Sequence, residues 1–417
     1  MSLCITNARF DDGVIGLRAE AGIITALGPD VVPVAGDEVL DARGLTLTPG
    51  LVNGHGHAAM TLLRGYGDDL PLMEWLETRV WPAEAHMTRD DVYWGTRLAC
   101  LEMIRSGTTN FWDMYWFQFD IARAVVDSGM RGTVSQVFLS FAGAPADARP
   151  EAASDGLDRL AEFGPRVTPC LGPHAIYTVD EPVLRLIAEL SAARDVPVQI
   201  HLSETESEVT DCIAAHGCRP AEYLDRVGLL TKRSVLAHGV WLDDSELDLV
   251  AARGATIVTN PVSNMKLAVG RAFPYVAAHR AGIPIGIGTD GVASNNSLDL
   301  LADLKTLALL QKHTAQDPKV LPAAEAWAIA TGAAAPLLGG TRVAIGAPAD
   351  FLLVDARSPE MMPAPLIDAL VYSGSGAVVQ TTVVDGVVLM RDRHIDGADE
   401  VQSHVTEIAH RIRTAAP

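Results

Sequence analysis

The chain has 417 residues, 48% of them hydrophobic, enough for a barrel-sized core with an accessory part. Its 52 acidic residues against 32 basic ones give a formal charge of −20, which repels nucleic-acid backbones and anionic membrane surfaces. The expected partners are therefore a small molecule and further copies of the chain, with no nucleic acid and no membrane.

The N-terminal text "MSLCITNARFDDGVIGL" has no basic segment leading into an apolar one, so no signal peptide is expected. No apolar run reaches the roughly 18 residues that a membrane span needs. Cys4, Cys100, Cys170, Cys212 and Cys218 are dispersed without paired spacing. Such a set predicts reduced thiols and a cytoplasmic protein.

Residues 1–48 read as short strands broken by turns: "SLCITNARF", "GVIGLRA", "GIITALG" and "EVLDARGLTLT". "ADFLLVDA" and "AVVQTTVVDGVVLM" near the other end have the same texture. Residues 1–48 and 346–395 are thus expected to pair into one small β-sandwich domain. Between them, residues 49–345 alternate strand-like runs with amphipathic helical ones. "VTPCLGPHAIY" precedes "EPVLRLIAELSAARD", and "IPIGIGTDG" precedes "LDLLADLKTLALLQKH". That beat predicts an α/β fold, a (β/α)₈ TIM-like barrel. An open doubly wound sheet would compete, but no GxGxxG opens a helix after the first strand. Residues 398–417 have the spacing of a C-terminal helix.

Barrel chemistry gathers at the C-terminal ends of strands. Here those ends read "LVNGHGH", "LGPHAIY", "VQIHLSE", "VLAHGV" and "IGIGTDG", which deliver His55, His57, His174, His201, Glu204, His238 and Asp290. A single histidine at such a place is more often a hydrogen-bonded core residue than a ligand. Five of the twelve histidines at strand ends are not explained that way. His55 and His57, two apart in one strand, point to the same side. With His201 and Asp290 they form a set suited to a borderline-soft divalent ion with one position left for water.

"PGLVNGHGH", "HLSETESEV", "LAHGVWL", "TNPVSNMKLA" and "GIGTDGVASNNSLDLLADLK" resemble the amidohydrolase superfamily, most of all its methylthioadenosine/S-adenosylhomocysteine deaminase branch, with triazine chlorohydrolases as near relatives. The resemblance spans nearly the whole chain, including "GAPADFLLVD" at the return into the small domain. It implies a zinc-dependent aminohydrolase with one metal per subunit, in which water activated on the ion displaces ammonia from an aromatic carbon. Iron or manganese suits the same ligands. Some superfamily members bridge two metals with a carboxylated lysine on a middle strand. No lysine precedes Lys232, so the site is expected to be mononuclear.

The resemblance gives Glu204 the protonation of the ring nitrogen, lets Asp290 accept the water's proton, and sets His238 against the developing charge. Glu84 in "VWPAEAHM" matches a family glutamate that holds ribose hydroxyls, and His174 matches a substrate contact. Trp75, Trp81, Leu72 and Met73 are candidates to wall the base and its 5′ substituent. The acidic run that continues through Glu206 and Glu208 reads otherwise as a solvated helix start. Ser294 to Asp299 is expected to shape the loop over the site.

One departure bears on substrate. The branch usually carries arginines for the carboxylate tail of S-adenosylhomocysteine, whereas "SQVFLSFAGAPADARPEA" has Gln136 at one such place and leaves Arg149 as the remaining candidate. Adenosine or methylthioadenosine is therefore the expected substrate, with S-adenosylhomocysteine third. The alternatives are a hydrolase of another N-heterocycle (triazine, pterin, guanine or cytosine) and, more remotely, a non-catalytic scaffold. A homo-oligomer is expected.

Overall fold

The computed structural model describes residues 2–70, 72–140 and 148–416. The chain opens with β1 (Ser2–Phe10), β2 (Gly13–Glu20), β3 (Ile23–Gly28), β4 (Glu38–Asp41) and β5 (Thr46–Pro49). Eight strands follow: β6 (Leu51–Gly56), β7 (Thr108–Asp113), β8 (Arg131–Phe138), β9 (Val167–Pro173), β10 (Val198–Leu202), β11 (Ser234–His238), β12 (Thr256–Thr259) and β13 (Ile285–Ile287). The last three are β14 (Phe351–Val354), β15 (Val379–Val384) and β16 (Val387–Met390).

The two ends of the chain build one mixed sheet in the order β16-β15-β14-β5-β1-β2-β3, with β4 also on β1. The sheet forks there: Leu3 to Thr6 pair with β4, and Arg9 pairs with β5. Its apolar side chains gather into one core that includes Ile5, Leu17, Leu40, Leu47, Phe351 and Val383. The helix Leu366–Tyr372 leaves this sheet and packs on the barrel helices Leu300–Ala315 and Ala323–Ala330.

β6 to β13 run parallel in chain order, and helices cover them outside. Every residue of β6, β7, β10 and β11 is buried, as expected of strands covered on both faces. A bridge between Gly56 and Asp290 joins the two ends of the series, where the Asp290 amide donates to the His55 carbonyl at 3.1 Å. Gly288 permits that seam. A Cβ there would stand 2.7 Å from the His55 oxygen and 2.5 Å from Oδ1 of Asn260.

Inside the barrel, Val52, Trp112, Cys170, Val235, Val258 and Leu338 pack into an apolar plug. The Leu338 carbonyl accepts from Trp112 Nε1 at 3.1 Å and from Asn110 Nδ2 at 2.9 Å. This firm floor leaves the opposite, C-terminal ends of the strands free to carry polar groups. Among the described residues no helix is long and apolar enough to cross a membrane.

Candidate metal centre and active site

His55 and His57 stand at and just beyond the end of β6, His201 in β10, and Asp290 three residues beyond β13. Their ligand atoms all lie within 4.8 Å of one another. Nε2 of His57 is 3.1 Å and Nε2 of His55 is 3.5 Å from Oδ1 of Asp290, and Nε2 of His201 is 3.4 Å from that of His57.

Each ring is oriented from behind. Nδ1 of His55 donates to Oε1 of Gln199 at 2.6 Å, that of His57 to the Met114 carbonyl at 2.6 Å, and that of His201 to the His174 carbonyl at 2.7 Å. With the proton held on Nδ1, every Nε2 presents a lone pair to the common centre. Ser263 Oγ donates to Oδ2 of Asp290 at 2.6 Å, which turns Oδ1 inward.

The polar balance of this cluster calls for a cation. Nε2 of His55 is buried and has no hydrogen-bond partner. Burial drives His55 down and His201 well below the usual imidazole range, so both rings are neutral ligands. His57 runs the other way. Burial lowers it, but the Asp290 carboxylate outweighs that and raises it to about 9. A dication replaces that proton and gives the orphaned nitrogen a partner. Three imidazole nitrogens and one carboxylate oxygen fit zinc chemistry.

Glu204 and His238 face each other beside the cluster, with Oε2 and Nε2 3.9 Å apart. Burial first, and then Asp290, push the Glu204 carboxyl up to about 8, which keeps it protonated at neutral pH. Nδ1 of His238 donates to Oδ1 of Asn264 at 2.8 Å, which aims Nε2 at the cavity. Ser203, His238 and Asp290 all adopt left-handed backbone, at φ 51°, 74° and 60°. Such strain on non-glycine residues gathers where side chains must be aimed.

The cavity above is walled by Leu72, Trp75, Leu76, Val80, Trp81 and Glu84 on one side and by Trp116, Val137, Leu139, His174 and Tyr177 on the other. Tyr115 donates to Oε1 of Glu84 at 2.6 Å, and burial raises the Glu84 carboxyl to about 8. Burial also takes His174 down to about 3, and its Nδ1 meets Oγ1 of Thr178 at 3.0 Å. A roomier cleft of about 660 Å³ lies between Arg105 and Gln402, but its inner groups are already partnered. Arg393 there donates to three carbonyls, and Asp299 accepts from the amides of Gly376 and Leu301.

The structure thus brings together His55, His57, His201, Asp290, Glu204, His238, His174, Glu84 and Trp75, along with Trp81 and Leu72. It does not bring Met73, which is 48% exposed. Arg149 is also exposed, capping the turn Pro150–Ala152, and is absent from the described lining. Gln136 is buried within β8, where its side chain accepts from Gln118 at 2.7 Å. Residues 141–147 lie outside the described residues.

Several residues escaped the sequence reading. Gln199, Ser263, Asn264 and Tyr115 carry no strand-end signal of their own and matter only through what they touch. Glu208 is 6% exposed and turned inward, contrary to the solvated helix start expected of the acidic run. Asp113 accepts the Ala58 amide at 2.6 Å beneath His57, with burial raising its carboxyl to about 6.

A family model, that of the amidohydrolase family, matches residues 46–389, a span that holds every ligand and runs from the small sheet through the barrel and back. The chain belongs to the amidohydrolase family. It is 46% identical over 423 residues to the 5′-deoxyadenosine deaminase of Methanoregula boonei, covering 99% of this chain and 95% of that one. It is 42% identical over 397 residues to the 5-methylthioadenosine/S-adenosylhomocysteine deaminase of Desulforudis audaxviator, covering 92% and 91%. A solved adenosine deaminase from Xanthomonas campestris with bound zinc superposes at a TM-score of 0.93 and 33% identity, over 99% and 98% of the two chains. The ligand cluster at the mouth of the amidohydrolase barrel is therefore the place to seek its chemistry.

Proposed function

We propose that this amidohydrolase is a zinc-dependent hydrolytic deaminase of an adenosine-like nucleoside. The observation that carries the reading is a buried Glu204, 3.9 Å from His238, beside a His₃Asp cluster at the floor of a largely apolar cavity. The names of its relatives support it.

His55, His57, His201 and Asp290 would hold a zinc ion, which would supply the Lewis acidity that brings water's pKa to roughly 7. The protein supplies the proton traffic. The reaction adds the oxygen of water to the amino-bearing ring carbon, breaks the carbon–nitrogen bond and releases ammonia. Glu204 donates its proton to the adjacent ring nitrogen as that nitrogen becomes basic. Asp290, with Ser263 on its Oδ2, accepts the water's first proton and passes it to the departing amine, and the second proton of the oxygen restores Glu204. His238, whose Nδ1 donates to Asn264, turns its acceptor Nε2 toward the attacking water and orients it. Glu84, held by Tyr115, receives the sugar hydroxyls, and His174 faces the base.

The described lining holds neither arginine nor lysine, and the sequence of residues 141–147 contains none. A carboxylate tail buried there would lack a partner. An apolar 5′ group is favoured, as in 5′-deoxyadenosine or methylthioadenosine. Ammonia release from zinc-loaded protein with these two, adenosine and S-adenosylhomocysteine tests the reading. Rapid release from the first two with little from the last is the expected result. Absence of release from all four would overturn the substrate class.

A further inference from the structure

The cavity wall 72–84 carries Leu72, Trp75, Leu76, Val80, Trp81 and Glu84, yet it belongs to no barrel strand. It bulges from the barrel mouth between the turn Ala58–Leu63 and the helix Arg89–Ser106. Wall side chains that grip a substrate need rotamers and backbone held to a fraction of an ångström. What holds this wall comes from the far end of the chain.

The helix Ala398–Ala415 packs along the helix Arg89–Ser106, and its residues Val401, Val405 and Ile412 are buried. His404 stacks on Trp94 with ring centroids 3.8 Å apart. Its final turn then reaches both feet of the wall. On the upstream foot, Arg413 donates to the Arg64 carbonyl at 3.0 Å, and the Tyr66 hydroxyl donates to the Ala416 carbonyl. On the downstream foot, two residues beyond Glu84, Arg411 donates to the His86 carbonyl at 3.1 Å. The same guanidinium also pairs with Asp91, a buried carboxylate that caps the next helix through Thr88.

We propose that Arg411 and Arg413 are positioning residues for the substrate wall: by tying both feet of 72–84 to one helix they set the affinity for the nucleoside. This rests on the reading of the cavity as the substrate site. Helix packing alone does not account for the pattern. Apolar burial already seats the helix, whereas these hydrogen bonds go to carbonyls at the two places where the wall leaves and rejoins the barrel. None of the tied groups touches the ligand cluster. Loosening them therefore weakens ground-state and transition-state binding alike, which raises KM and spares kcat.

The test is the double variant R411A/R413A in the zinc-loaded full chain, with R411K/R413K and the milder Y66F alongside. Zinc content, kcat and KM for 5′-deoxyadenosine, and amide hydrogen exchange of peptides covering 72–84 are measured. The alanine pair is expected to keep its zinc and its kcat within about threefold, while KM rises about tenfold or more, the worth of one or two lost hydrogen bonds. Exchange in 72–84 should quicken while that of β6 to β13 stays unchanged. Y66F should move in the same direction by less, and the lysine pair should recover part of the loss. Wild-type KM together with wild-type exchange in 72–84 would overturn the proposal. Should the unaltered protein release no ammonia, the functional reading falls, and the exchange of 72–84 in Y66F and the alanine pair still decides the clamp.

Discussion

The carboxylate of Glu208 accepts the amide hydrogen of Glu204 at 2.9 Å, while its other oxygen accepts that of Ser203 at 2.7 Å. Glu208 lies in the first turn of the helix Glu206–His216, whose cap is Thr205. It thus reaches back past the cap to the strained residue Ser203, φ 51°, and fixes the loop that presents Glu204. A carboxylate counted as part of a solvated helix start is the brace of the proposed acid.

Glu208→Ala should leave two buried amides unsatisfied, at about 1–3 kcal/mol each. Chemical denaturation should show a loss of a few kcal/mol, and kcat should fall while zinc content holds. Unchanged stability would mean that water replaces the carboxylate at both amides.

Glu204→Gln should retain zinc and lose about 10²–10⁴ in turnover, the usual worth of a positioned proton donor. Burial raises this carboxyl to about 8, so the acid form persists at neutral pH and is lost as pH rises through that value. Wild-type kcat should accordingly fall on the alkaline side, and the glutamine variant should lack that limb. The same limb in both proteins would assign it to another group.

His201→Ala removes one of the four ligands and should abolish stoichiometric zinc along with activity, as read by metal analysis. Gln199→Leu keeps all four ligands but removes the acceptor behind His55, together with the amide that donates to Ser135 Oγ at 3.3 Å. Loss of such a partner typically costs 10–100-fold in metal affinity. A competition titration should place this variant between wild type and His201→Ala.

Zinc removal should lower thermal stability and re-addition should restore it. An ion at a thousandfold excess over its Kd adds about 4 kcal/mol to the folded state. Differential scanning calorimetry with chelator, and then with excess zinc, checks the shift. A melting temperature indifferent to zinc would mean that the cluster does not bind it tightly.

The ligand set was legible in the sequence because barrel chemistry has an address. An apolar strand that ends on "HGH", "HLSE" or "GTDG" states both the residue and the end of the barrel at which it stands. The pairing of the two chain ends was legible too, since "ADFLLVDA" and "GLTLT" share a strand texture, and β14 indeed lies against β5. Substrate contacts were harder. Trp75 and Met73 are neighbours in one helical turn, yet one is 5% and the other 48% exposed, a difference set by which way the turn faces.

The sequence by itself determined the ligand set: a period-two histidine pair and the later strand-end His201 and Asp290, the four residues whose ligand atoms lie within 4.8 Å of one another. Only the tertiary structure decided the supports. Gln199 lies 144 residues from His55, Tyr115 lies 31 from Glu84, and Arg413 lies 349 from Arg64. Ligands must match the electronic needs of an ion, so their identities are written in local text. Any polar group of the right length can brace a ligand or a wall, so which one does so is settled by the fold that brings distant segments together.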